Sequence, residues 1–380
     1  MKFAKALFIV LYGLASTIAA FKVQEDDDVD LKMNKILQRV LKDFPEIQER
    51  IASLDHDEFS ELQDIWKMFK SKYAKVYTDA KSEKDAMNNL SQKIRHILKI
   101  KFSDKKTHFK IALNEFSDLS EEQLKTRLYG LRIPKSKLKS LRTKLKKRGN
   151  SKIDFKSIKY ILPSVDLRER GIISPVKNQK ECGGCYSFAT TGLLEAVHKF
   201  RSNTSIVFSE QQLIDCSRKY GNLGCEGGLM EDCFAYLKDH GIQENSTYPY
   251  VNDDGKCRYD PNKTVAYVSH FRTFEPGDEV SIMHTLQYTP VAVGIDASSF
   301  EFTQYAGGIF DSENCFKEFV NHAVLLVGYG SETDENNKTI DYWIIKNSWG
   351  PTWGEDGYVR LLRNGQNYCG VASIASTAIL

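Results

Sequence analysis

Within QKECGGCYSF (residues 179–188), Cys182 and Cys185 stand three positions apart. Three chemistries use cysteines this close. A dithiol redox pair works at a helix start inside a βαβ unit; a helix is predicted after Cys185, but no such strand leads into it and six further cysteines remain. A structural zinc site needs four converging ligands, often including a second close pair. The next cysteines, Cys216, Cys225, Cys233 and Cys257, are never two or three apart, and no His-x3–5-His pair exists. A thiolate nucleophile needs instead a base and a group that orients the base. His322 heads HAVLLVGYG, Asn347 ends DYWIIKN 25 residues later, and Gln179 offers amide N–H groups to a developing oxyanion.

Elements must bring these distant residues together. Phe188, Leu193, Ala196, Val197 and Phe200 predict a largely apolar helix over 186–200, starting directly after Cys185, and Met230, Cys233, Phe234 and Leu237 predict another. From about residue 265 the period becomes that of strands: VAYV, PVAVGI, HAVLLVGYG, DYWIIKN and GYVRLL. A helical lobe followed by a β-rich lobe is an α+β arrangement. His322 and Asn347 then sit at strand ends, able to face a cleft between the lobes.

The front of the chain differs. Lys2 and Lys5 precede the apolar run ALFIVLYGLA and an exit of small residues from Ala15 to Ala20, the layout of a secretory signal peptide over 1–20. Secretion implies an oxidising lumen in which disulfides form, and sequons start at Asn89, Asn203, Asn245, Asn262 and Asn337. Met33, Leu37, Val40 and Phe44 predict a helix, Pro45 opens a second with Ile47, Ile51 and Leu54, and Asp57 caps a third with Phe59, Leu62, Trp66, Phe69 and Tyr73 on one face. The net charge of +3 conceals a split: residues 1–160 carry +13 and residues 161–380 carry −10. Fourteen Lys/Arg and a single acid crowd into 125–160. Without interleaved aromatics this run reads as a solvated linker rather than a nucleic-acid or membrane surface.

The sequence resembles the papain-like cysteine proteases of cathepsin L type. The resemblance is carried by Gln179 through CGGCYSF, SEQQLIDCS (209–217), GCEGGLM (224–230), NHAVLLVGYG (321–330), IKNSWGPTWGEDGYVRL (345–361) and, in the front half, ALNEFSDLS (112–120). It implies a two-lobed papain-like fold, helical lobe against β-barrel-like lobe, preceded by a mainly helical propeptide. Signal peptide 1–20, propeptide 21–160 (inhibitory helical domain about 59–132, Lys-rich linker 133–160) and mature peptidase 161–380 are the expected domains. Cys185 would be the nucleophile, a thiolate even at acid pH, with His322 its base. Asn347 would hold the imidazole under the shield of Trp349, and Gln179 would serve the oxyanion.

By the same resemblance the disulfides would be Cys182–Cys225, Cys216–Cys257 and Cys315–Cys369, with Cys233 a buried inert thiol. Gly227 and Gly228 would let a substrate backbone approach. Leu229, Met230, Gly294, Ala323 and Ile374 would form an apolar pocket for the second residue before the cut. No cofactor, metal, nucleic acid or membrane span is implied. The partners would be peptide substrates and the chain's own propeptide, acting on a monomer in the secretory pathway, in lysosomes or outside the cell. Gly184, Tyr186 and Leu167 depart from the family's commonest residues, and Gly184 is expected to loosen the nucleophile loop. The competing readings are an inactive homologue that acts as a binding protein, against which the intact Gln179, Cys185, His322 and Asn347 argue, and a different Cys-His-Asn acyl transferase.

Overall fold

The computed structural model describes residues 60–101, 107–148 and 160–380. The signal peptide, the two foremost predicted helices, Asp57 and Phe59 lie outside them. The chain divides into two compact units, Met1–Lys106 with Ala112–Leu119, and Thr107–Ile111 with Ser120–Leu380.

In the first unit, α1 (Ser60–Lys72) buries Trp66 and Phe69, and α2 (Ala80–Lys101) buries Ala86, Leu90, Ile94, Ile97 and Leu98. Those five positions recur every three or four residues, one face of a helix. Glu83 of α2 accepts from Trp66 Nε1 at 3.2 Å and pairs with Lys70, tying the two helices together. Residues 112–119 are pinned through Asp118, whose carboxylate receives Lys75 Nζ at 2.9 Å and the Tyr77 hydroxyl at 2.8 Å. Asn89 Nδ2 donates to the Asp118 carbonyl at 3.0 Å, a bond that a glycan on that sequon would displace.

The second unit starts with β1 (Phe109–Ile111), α3 (Glu121–Arg127) and α4 (Lys135–Arg148). Ser120 and Gln123 form a reciprocal capping box on α3. Within the basic stretch expected to be a solvated linker, Lys135–Arg148 is therefore helical. Leu138, Leu141 and Leu145 fall at i, i+3 and i+7 on one stripe, and Leu141 is buried, so docking compensates the poor company of its like charges. After β2 (Val165–Asp166) come α5 (Cys185–Ser202), α6 (Glu210–Cys216) and α7 (Met230–His240). Phe200, placed on the core face by its spacing, is 63% exposed in the last turn of α5. The β-rich part follows with β3 (Ile242–Gln243), β4 (Thr264–Ala266), β5 (His270–Thr273), α8 (Glu279–Leu286), β6 (Val291–Ile295), α9 (Phe300–Thr303), β7 (Tyr305–Phe310), β8 (His322–Thr333), β9 (Thr339–Lys346), β10 (Tyr358–Leu362) and β11 (Ala375–Ile379).

Among the described residues the main sheet runs β1-β7-β10-β9-β8-β6-β11-β5, with β2 added to β8. β8 is the element that matters for the site. It pairs antiparallel with β6 (Ile295 opposite His322) and with β9, and it packs along α5. A Cβ on Gly192 of α5 would lie 3.3 Å from Leu325 Cδ2 of β8, so helix and strand approach closely there. Leu193, Leu194, Leu213, Phe234 and Val327 are fully buried in the core that joins them. Truncating one such leucine typically costs about 2–5 kcal/mol.

Candidate active site

Cys185 is the first residue of α5, behind a loop fixed by Cys182–Cys225. The backbone is tight there: a Cβ on Gly183 would stand 2.5 Å from the Cys225 carbonyl oxygen. At Gly184 a Cβ would meet Ile214 Cδ1 at 2.9 Å, and the φ of −82° is ordinary. A bulky neighbour thus fills the space where a side chain at Gly184 would stand. Tyr186 is buried with its hydroxyl donating to the Gly224 carbonyl at 3.0 Å.

Ala323, directly after His322, donates its N–H to Cys185 Sγ at 3.4 Å, so the start of β8 lies against the start of α5. The His322 ring nitrogen Nε2 is 2.8 Å from Asn347 Oδ1, which also accepts the Ser348 N–H at 2.8 Å. Because that amide oxygen is fixed by a second donor, Nε2 must carry the hydrogen and Nδ1 the lone pair. Nδ1 is buried without a hydrogen-bond partner among the described residues. Trp349 lies over the imidazole, ring centroids 4.8 Å apart, and is backed by Trp353 and Phe302. Gln179 is oriented by Ser348, whose hydroxyl donates to Oε1 at 2.6 Å. Ser348 serves both amides; its place between Asn347 and Trp349 was the only sequence signal for it.

A segment after α3 fills the site. Gln179 Nε2 donates to the carbonyls of Leu128 (3.2 Å) and Cys182 (3.1 Å). Tyr129 packs near Trp349, with its hydroxyl 3.2 Å from Thr303 Oγ1. Gly228 N–H donates to the Gly130 carbonyl at 2.8 Å, Arg132 N–H to the Gly228 carbonyl at 3.1 Å, and Leu131 N–H to the Asn321 carbonyl at 2.9 Å. Leu131 thus forms a parallel bridge with Gly228. Gly227 holds a φ of +115°, and a Cβ there would strike the Gly130 carbonyl oxygen at 2.3 Å, so glycine is required on both counts. The Leu131 side chain shares a buried cluster with Leu229, Met230, Ala323 and Val320, with Ile374 packed against it. It reaches to 2.5 Å from where a Cβ on Gly294 would stand. Val320 and Leu131 are the members of this group that the sequence did not single out.

Burial governs the charges. The Cys185 thiol is pushed up to about 11 by desolvation, only partly offset by N–H groups of Ala323, Gly130 and Tyr186. Desolvation pulls the His322 imidazole down to about 4, opposed by the Asn347 hydrogen bond and by the nearby Leu128 backbone. In this filled site burial disfavours the charged form of both groups: without water, a charged pair with no further partners costs more than it gains. The structure also contains the disulfides Cys216–Cys257 and Cys315–Cys369. Cys233 is a buried free thiol accepting from Asn222 Nδ2 at 3.3 Å. No cluster of three or more His, Cys, Asp or Glu suited to a metal occurs among the described residues.

Residues 161–379 match the family described as "Papain family cysteine protease", and residues 66–124 match the "Cathepsin propeptide inhibitor domain (I29)". The "Cathepsin L-like proteinase" of Fasciola hepatica is 38% identical over 322 residues, spanning 82% of this chain and 92% of that protein. "Cathepsin L1" of Drosophila melanogaster is 36% identical over 326 residues, 83% of this chain and 84% of that protein. Among solved structures, digestive procathepsin L 3 of Tenebrio molitor larval midgut is 36% identical with a TM-score of 0.71, covering 84% of this chain and all of that one.

Proposed function

The chain belongs to the papain family of cysteine proteases, as a cathepsin L-like proteinase with an inhibitory propeptide, and from that premise we propose that it cuts peptide bonds through Cys185, His322 and Asn347 and favours a hydrophobic residue two positions before the cut. The observation that carries this is the fixed imidazole beside the thiol: Nε2 is tied to Asn347, Nδ1 has no hydrogen-bond partner among the described residues, and the next residue, Ala323, donates its N–H to Cys185 Sγ.

Once water and substrate replace the pro-segment, the Cys185 proton passes to His322 Nδ1. The thiolate attacks the scissile carbonyl carbon, and the oxygen takes up the electron pair facing the Gln179 amide. His322 returns its proton to the leaving amine as the C–N bond breaks. Water, deprotonated by the same nitrogen, then hydrolyses the thioester and restores the thiol. A well-aimed oxyanion donor contributes about 3–4 kcal/mol to such a step.

The occupant of the pocket supports the specificity. Leu131 fills it, and no wall residue could pair a basic side chain. From Leu128 to Arg132 the segment passes Gln179 first and the pocket second. A substrate's pocket residue precedes its scissile bond, so the pro-segment traverses the site in the reverse sense. Removal of residues up to about Ile161 would release the enzyme, and the signal peptide and three disulfides support passage through the secretory pathway. No helix among the described residues is long and apolar enough to cross a membrane.

The test is acid processing of the full chain, labelling with a thiol-directed epoxide, and hydrolysis of peptides carrying Leu, Phe or Arg at the second position. Label on Cys185, hydrolysis lost in Cys185→Ala, and a preference for Leu or Phe are the expected results. Equal cleavage of Arg peptides would overturn the pocket, and labelling without hydrolysis would overturn the proteolytic mechanism.

A further inference from the structure

The basic helix α4 is not needed to fill the catalytic cleft; residues 128–132 already do so. It nevertheless has a seat of its own. Leu141 is buried at 6% exposure, with Leu138 and Leu145 half-buried beside it. On one flank of that stripe, the Arg142 guanidinium stands 5.9 Å over the ring of Phe319, which packs edge-on to Phe316. On the other, Lys144 Nζ reaches both carboxylate oxygens of Glu275, at 2.9 and 3.2 Å. Lys137, seven positions before Lys144 and therefore on the same flank, faces Glu231 and Asp232 in the first turn of α7. Burial pushes those two carboxyls up, and the Lys137 ammonium pulls them back.

Each anchor lies next to a wall of the pocket that holds Leu131. Glu231 follows Met230, and Phe319 precedes Val320. Glu275 follows Phe274, whose N–H donates at 2.9 Å to the carbonyl of Ala375, the neighbour of Ile374. α7 belongs to the helical lobe, Phe319 and Glu275 to the β-rich one, so the helix bridges the two sides of the cleft just beyond the pocket.

We propose that this surface is an exosite for a basic amphipathic helix, and that its occupant is segment 134–148 of this chain, which binds there in trans after excision. Bound, it obstructs substrates that extend three or more residues before the cut and leaves shorter ones untouched. The inference rests on the proteinase reading for its setting; the complementarity of Leu, Lys and Arg to Phe319, Glu275, Glu231 and Asp232 is independent of it.

The probe is a labelled 134–148 peptide, which lacks Leu131 and Arg132 and so cannot use the pocket. Fluorescence anisotropy is read on the full chain after removal of its pro-segment and alkylation of Cys185. Saturable binding is expected, weakened by about tenfold or more in Phe319→Ser and in Glu275→Lys. On unalkylated enzyme, the peptide should inhibit cleavage of a hexapeptide and not of a dipeptidyl amide, which also shows that each variant is folded. No binding, or binding indifferent to both substitutions, as for a polycation adsorbing to a domain of charge −10, would overturn the proposal. So would equal inhibition of both substrates. An enzyme that cleaves neither substrate would sink the proteinase reading, while the anisotropy would still decide the exosite.

Discussion

At the scale of single residues, the site is a neutral pair waiting for water. With the thiol near 11 and the imidazole near 4, one proton resides on Cys185 at every pH between. On the proposed mechanism, opening would move that proton to His322 without exchanging any with solvent, and the pair would give activation no acid dependence. Cys185→Ala removes this compensation. His322 alone is held down in the closed form, so its neutral state favours closure above its ordinary value of about 6.5, and closure weakens as pH falls from there to about 4. Protection factors of residues 128–132 in full-length Cys185→Ala, read as exchange relative to the intrinsic rate at each pH, should therefore fall with acid more than in the parent chain. The buried thiol also predicts that alkylation of Cys185 before processing is slower by at least about 100-fold than after it, measured at one pH. At the pocket, Gly294→Ala would set a methyl against the Leu131 position. It should shift preference from Leu or Phe toward Val or Ala by about 10-fold or more in kcat/KM ratios.

At the scale of elements, the helical unit ahead of the enzyme has an acid-sensitive joint. Glu83 on α2 holds a pKa below the usual carboxylate range because it accepts from Lys70 and Trp66 of α1. A lowered carboxyl contributes stability above its unfolded value and loses it as pH falls through the folded one. The α1–α2 contact should loosen as pH falls below the usual carboxylate range, and Glu83→Gln should flatten that limb of a melting-temperature against pH curve. The two spacings that misled, Phe200 and the Lys-rich run, have one cause. A periodic stripe tells which face a helix would bury, not whether a partner surface exists. Phe200 found none on the last turn of α5, whereas Leu138, Leu141 and Leu145 found one.

At the scale of the whole molecule, opposite charge joins pro-segment to enzyme within the second unit: Arg127 to Glu181 at 2.6 Å and Lys144 to Glu275 at 2.9 Å. Exposed pairs contribute about 0–1 kcal/mol each and are screened by salt. Raising ionic strength should shorten the lag before self-processing by a few-fold and no more, read from the onset of peptide hydrolysis. A lag indifferent to salt would assign the hold to the apolar contacts of Leu131 and Leu141.

The amino-acid order alone singled out the candidate reagent and helpers, because Cys185, Gln179, His322 and Asn347 sit in short motifs that resemble those of the family. It also determined where the lobes divide, since the hydrophobic period changes there. Only the tertiary structure decided that Leu131 packs among Leu229, Met230, Ala323 and Val320, that α4 docks through Leu141, that Ile214 occupies the space beside Gly184, and that burial disfavours the thiolate here. Each of these depends on which surfaces meet and how much water remains between them, and no pattern within a single segment records that.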